Sequence, residues 1–286
     1  MTEPPGRVVD VHQHLWPEPF VHALEGRREP PRLRGNRLEL SVEGAFEVEL
    51  RDHEPDVRLE VLDRFGIDVA VVSCPPTLEP TPDLLDAYHS GILDVVAGSG
   101  GRLVALATDA VLDGFVGTCV AADALVDLDA LAPLADELLR AEGFLFVHPG
   151  PAASRSGAPP WWSAVVGYTA QMQAAYAAWL AEGVTRWPEL RIVFAILAGG
   201  APIQLDRLAS RGGGAAAARH PSAYLETASY GRPALELCIS VLGGEQLLYG
   251  SDLPVIDAGP TLQAVRALGP EVERALCVDN PARLIR

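Results

Sequence analysis

The chain has 286 residues, 49% of them apolar and 21% charged, which is enough to bury a large core and too apolar for a disordered segment. Its formal net charge of −16 argues against nucleic acid as a partner, because neutralising phosphates needs a basic surface. All 22 basic residues are Arg, so a Schiff-base lysine and a carboxylated-lysine metal bridge are both excluded.

Along the chain, the polar lead MTEPPGR carries no signal-peptide pattern and no apolar run approaches the roughly 20 residues of a membrane span, so a cytoplasmic protein is expected. Short apolar runs rich in β-branched residues predict eight strands, ending near His14, Cys74, Ala107, Val120, His148, Leu197, Ala228 and Asp252. Between them, helical patterns cover 82–96, 128–141, 163–183, 202–211, 232–242 and 261–268. This alternation predicts an α/β fold, a TIM-like (β/α)8 barrel formed as one domain over residues 1–286.

Two connections depart from the repeat. The stretch 16–54 after the first strand holds five Arg between Arg27 and Arg37 and the alternating RLELSVEGAFEVEL, which predicts a β-ribbon able to act as a lid. TDAVLDG after Ala107 is too short for a barrel helix, so one outer helix is expected to be missing. GAPPWW and the Gly212–Ala218 run read as loops, and VDNPARLIR reads as a helix starting after Asp279 or Asn280, with Pro281 in its first turn. Cys74, Cys119, Cys238 and Cys277 sit singly and read as buried free thiols.

Alternate side chains of a strand share a face, so His12 and His14 can bind one ion. His148 ends FLFVHPG and Asp252 follows LLYGS, each where a strand meets the loop at the carboxyl rim, the end at which barrels place chemistry. Singly, each has a plainer reading as a turn or capping residue. Together, three imidazoles and a carboxylate make a zinc site with a coordination position left for water, with Asp252 able to act as both ligand and base. Trp16, Trp161 and Trp162 are candidate walls of a substrate pocket. Arg32, Arg34 and Arg37 could fork onto a substrate carboxylate or simply coat a solvated ribbon. His22, His53 and His89 read mostly as surface histidines, and His220 falls at the rim away from the chemistry.

VVDVHQH, GRLVALA, FLFVHPG, RWPELRIVFAILAGGAPIQLDRL, AYLETASYG, LLYGSDLPV and DNPARLI, in this order and spacing, resemble the amidohydrolase superfamily. The branch is amidohydrolase-2, which includes aminocarboxymuconate-semialdehyde decarboxylase and related aromatic-acid decarboxylases and hydrolases. The resemblance covers most of the chain. It implies a TIM-like barrel with a metal, usually zinc, on residues matching His12, His14, His148 and Asp252. It also implies a sixth-strand histidine in a His-x-Gly-Gly segment that handles protons; the matching residue here is Ile196, or Leu197 if the alignment slips by one.

The leading expectation is therefore a mononuclear metal-dependent hydrolase of a small cyclic or aromatic ester, lactone or amide, using zinc or another divalent metal and Asp252 as base. One alternative is non-oxidative decarboxylation of a small aromatic or unsaturated acid. The other is a non-catalytic ligand-binding barrel, motivated by Ile196. The expected partner is a small molecule, with neither nucleic acid nor membrane, and related barrels often pair as homodimers.

Overall fold

The computed structural model describes residues 6–285; residues 1–5 of the polar lead, and Arg286, lie outside the described residues. Strand β1 (Val9–His14) is buried at all six positions, as expected of a parallel strand covered on both faces. An antiparallel excursion follows, made of β2 (Arg32–Arg34), β3 (Arg37–Leu40) and β4 (Gly44–Glu47). The barrel then resumes with β5 (Val69–Ser73), β6 (Leu103–Thr108), β7 (Gly117–Ala121), β8 (Phe144–His148), β9 (Arg191–Phe194), β10 (Ala223–Glu226) and β11 (Leu247–Leu248).

These eight strands pair in parallel in the order β1-β5-β6-β7-β8-β9-β10-β11. The ring closes differently from the rest, because β11 is only two residues long. Its seam with β1 is a single parallel bridge, Gln13 to Leu253, with Val11 N–H donating to Tyr249 O at 3.0 Å, Asp252 N–H to His12 O at 2.8 Å and His14 N–H to Leu253 O at 2.6 Å. The expected α/β barrel is what forms.

Helices α1 (Glu18–Gly26), α2 (Pro55–Phe65), α3 (Pro82–Gly98), α4 (Leu128–Arg140) and α5 (Tyr168–Ala178) precede further helices at Leu205–Ser210, Arg232–Leu242 and Ala258–Arg266. In α4, the Asp127 carboxylate caps Asp129 N–H at 3.1 Å and Ala130 N–H at 3.0 Å, and Leu128, Leu131, Ala135 and Leu138 form the buried stripe. No helix among the described residues separates β6 from β7, as the short TDAVLDG connection predicts. Nor is any described helix long and apolar enough to cross a membrane.

Several boundaries differ from the sequence reading. The last three strands stop at Phe194, Glu226 and Leu248, short of Leu197, Ala228 and Asp252, because the chain turns out of the extended conformation there, with positive φ at Ile196–Gly200 and at Asp252. The excursion contains α1, launched by Pro17 and Pro19, besides the expected ribbon. The 163–183 helix is α5 flanked by π turns at Ser163–Gly167 and Trp179–Gly183. Part of the Gly212–Ala218 run is a 3-10 turn, Ala215–Arg219. The C-terminal helix begins at Asn280, after Asp279 as expected and with Pro281 in its first turn, but it also continues directly from helical turns at Pro270–Arg274 and Ala275–Asp279.

Candidate metal centre

At the carboxyl rim, the donor atoms of His12, His14, His148 and Asp252 all lie within 4.8 Å of one another. His12 Nε2 and His14 Nε2 are 3.2 Å apart, and Asp252 Oδ1 lies 3.0 Å from His14 Nε2 and 3.6 Å from His12 Nε2. Ligands of a tetrahedral ion at 2.0–2.1 Å sit about 3.3 Å apart, so these pairs already have the spacing of a coordination shell. The three imidazoles are mutually edge-on, with centroids 5.0–5.2 Å apart.

The outward nitrogen of each ring explains why the inward one is available. His14 Nδ1 donates to Ser73 O at 3.2 Å and His148 Nδ1 to Pro149 O at 2.8 Å; carbonyls only accept, so both rings carry their proton on Nδ1 and leave Nε2 bare. His12 Nδ1 donates to Glu226 Oε2 at 2.8 Å, a carboxylate–histidine arrangement that serves the same end. Asp252 reaches the cluster through a backbone φ of 65°, a left-handed conformation that Asp tolerates better than most residues. The four side chains thus fit a divalent cation.

Electrostatics separate the three imidazoles. Burial, together with His12 and His14, drives the His148 imidazole well below its ordinary range. Burial also lowers His14, against the pull of Asp252. At His12 burial again opposes the charge, but Glu226 and Asp252 outweigh it and raise the group to about 9. Burial would raise Asp252, yet His12, His14 and His148 hold it below the usual carboxylate range. Without a cation, one proton therefore rests on His12, and an incoming cation must displace it.

Glu226 is the functional residue that sequence reasoning misses. Fully buried, it accepts from His12 Nδ1, from Ile196 N–H at 3.1 Å and, closely, from Ala228 N–H. Gly250 makes room for it, since a Cβ there would sit 2.2 Å from Glu226 Oε1. The only available signal was an acidic residue in the apolar strand run AYLE.

Ile196 stands at the end of β9, where the resemblance implies a histidine. It opens a run of five residues with positive φ, Ile196 (47°), Leu197 (50°), Ala198 (51°), Gly199 (64°) and Gly200 (74°). Leu197 and Ala198 are buried in the core, and Ile196 packs partly against it. Gly199 is needed because a Cβ would meet Thr169 O of α5 at 2.5 Å. What this turn offers the site is therefore a backbone N–H rather than a titratable side chain.

The excursion is tied to the segments that follow β5 and β8. Glu43, between β3 and β4, accepts from Tyr168 Oη at 2.7 and 2.9 Å and from Ala152 N–H at 2.9 Å, while Glu79 accepts from Ser41 N–H at 3.0 Å and Val42 N–H at 2.7 Å. Burial raises the Glu43 carboxyl, Tyr168 and Ala152 oppose that shift, and Glu79 adds to it. Arg32 pairs with Glu39 at 2.6 Å, Arg37 lies 3.6 Å from Glu39, and Arg34 donates to Glu25 O at 2.9 Å, so these arginines bind their own segment.

Among the described residues, Trp16 makes no ring contact with Trp161 or Trp162. Trp16 is buried against His53 and Phe20, whereas Trp161 is 55% exposed and packs on Trp162, over which Arg155 sits at 4.7 Å. The surface reading holds for the exposed His22 but needs correction for His53 and His89. His53 is buried and stacked on Trp16, and His89 is half-buried with Nε2 accepting from Thr108 N–H at 3.0 Å. The four cysteines are free and buried as expected.

The sequence profile of the amidohydrolase family matches residues 9–286. No curated protein matches the chain. Among solved structures, IDCase from Metarhizium anisopliae in its apo form superposes with a TM-score of 0.81 at 21% identity, over 97% of this chain and 96% of that one. The 5-carboxyvanillate decarboxylase of Sphingomonas paucimobilis gives 0.75 at 20% identity, over 98% and 99%. That of Novosphingobium aromaticivorans, complexed with manganese and 4-hydroxy-3-methoxy-5-nitrobenzoic acid, gives 0.71 at 15%, over 99% of each chain. At these identities the likeness concerns the fold.

Proposed function

The chain belongs to the amidohydrolase family, and from that premise we infer that it is a divalent-metal-dependent enzyme that removes carbon dioxide from a small aromatic or unsaturated acid without oxidation. The observation that carries this is the convergence of His12, His14, His148 and Asp252 with every histidine Nδ1 already engaged outside the cluster. The decarboxylases among the similar folds, one of them holding manganese, favour this reaction over the ester, lactone or amide hydrolysis expected first from the sequence.

A divalent cation on the four residues would supply Lewis acidity for an oxygen of the substrate. The remaining chemistry falls to the chain. Asp252, held ionised by the imidazoles and with 16% of its side chain exposed, takes a proton from the acid and returns it to the carbon from which carbon dioxide departs. Glu226 keeps His12 turned toward the cluster. Ile196 takes no part in proton transfer, which leaves Asp252 the acid/base group of the donor set.

Purified protein loaded with manganese or zinc, offered a panel of hydroxybenzoic acids, is expected to release carbon dioxide, to stop on chelation and to resume when metal is restored. Hydrolysis of aromatic esters or lactones with no carbon dioxide from any acid would overturn it. Ile196 keeps that second reading in play, because an activated ester needs a base but no acid at carbon.

A further inference from the structure

The end of β9 brings no imidazole to the mouth, so the chain's other histidines matter. His22 is exposed beside Glu18 at 3.8 Å. His89 uses Nε2 on Thr108, and His220 bonds Ser222 Oγ at 2.8 Å just ahead of β10, at the opposite rim. His53 differs from all of these.

His53 is 6% exposed, and its ring stacks on Trp16 at 4.1 Å and 11°. Trp16 lies two residues beyond His14, and its backbone N–H donates to His53 Nδ1 at 3.1 Å. A backbone N–H can only donate, so Nδ1 is bare and the neutral ring carries its proton on Nε2. No protein group among the described residues pairs with that N–H. Burial, with the Arg58 guanidinium beside it, holds the group down to about 3, which keeps it neutral. The indole it stacks on carries a buried donor without a partner, Trp16 Nε1. Arg58 fixes the arrangement to the metal-bearing strand by donating to Gln13 Oε1 at 2.9 Å, His14 O at 3.0 Å and Asp52 O at 2.9 Å. Two N–H groups without a protein partner, one of them the fully buried Trp16 Nε1, thus sit on stacked rings next in chain to the metal-bearing strand, where an oxygen acceptor would satisfy them.

We propose that His53 is a substrate-binding residue whose Nε2–H donates to a carboxylate or phenolate oxygen of the acid held at the centre. This rests on the decarboxylase reading above. The neutral ring serves as a fixed donor, so its contribution falls on affinity more than on turnover.

The probe is 2-hydroxybenzoate, titrated calorimetrically into manganese-loaded protein. His53→Asn keeps an acceptor for Trp16 N–H while removing the Nε2 donor; it is expected to retain metal and lose at least about tenfold in affinity. His53→Gln, whose amide reaches the Nε2 position, should recover part of that loss. Histidine labelled with 15N in the wild-type protein gives a second readout that needs no variant: the His53 Nε2 resonance should move on addition of 2-hydroxybenzoate. Equal binding by wild type and His53→Asn, or binding that leaves the resonance unmoved, overturns this inference while the decarboxylase reading stands. If metal-loaded wild type binds neither 2-hydroxybenzoate nor benzoate, both readings fall together.

Discussion

The ends of β1 and β9 meet at one carboxylate oxygen, Glu226 Oε2, and reach it in opposite ways. From β1 comes a side chain, His12 Nδ1 at 2.8 Å; from the turn after β9 comes a backbone, Ile196 N–H at 3.1 Å. The first is a regular strand that points chemistry inward at alternate positions. The second is a left-handed run whose side chains go largely to the core and whose amide does the work. A barrel rim can thus lose a titratable side chain and still keep that strand's hold on the site.

The largest test removes the carboxylate that completes the β1 cluster. Asp252→Asn should leave purified protein depleted of metal after dialysis and lower any decarboxylation by about 10²–10⁴-fold. Metal content equal to wild type would erase the functional difference between the two ends.

The second test is pH. His12 stands at about 9 in the folded protein against an ordinary 6.5, so its contribution to metal-free stability is fully present below pH 6.5 and is lost as pH rises through 9. The loss is on the order of 3 kcal/mol, read as a falling midpoint of thermal unfolding in chelated protein. His53 has the opposite sign. Its pKa near 3 means stability present above pH 6.5 and lost as pH falls toward 3, so His53→Asn should unfold less readily in acid than wild type.

Glu226→Gln tests the shared oxygen. It should weaken cation binding by about 10- to 100-fold and flatten the alkaline loss of metal-free stability, because the main support of the His12 charge is gone. Ile196→His sharpens the comparison from the other side. Ile is β-branched and strained at positive φ, whereas His is tolerated there, so this change should fold at least as well and raise decarboxylation about tenfold or more. Glu43→Gln is the mildest, at about 1 kcal/mol or less of stability, read as faster hydrogen exchange in β3 and β4.

What was legible in the sequence follows from the range of each signal. His12 and His14 are local: two residues on one strand, turned to one face by the pleat. His148 and Asp252 are legible because each closes an apolar run at a turn. Glu226 is not, since its meaning comes from donors in three separated segments and a strand-end Glu looks like any other. His53 reads as a surface residue in a charged excursion, and only folding lays Trp16 beneath it. The left-handed run after β9 is hidden for another reason, because Ile-Leu-Ala prefers regular structure and the site overrides that preference.

The weak joint of the barrel gives the candidate centre a mechanical meaning. Seven junctions in the ring are strand pairs, while the eighth, between β11 and β1, is one bridge and a few backbone bonds. His12 and His14 stand on one side of that joint and Asp252 on the other, so a cation gripped by all three fastens the cylinder shut like a buckle. Mass action then ties the rigidity of the whole ring to free cation concentration, and chelation should first loosen the amides of Val11, His14 and Asp252.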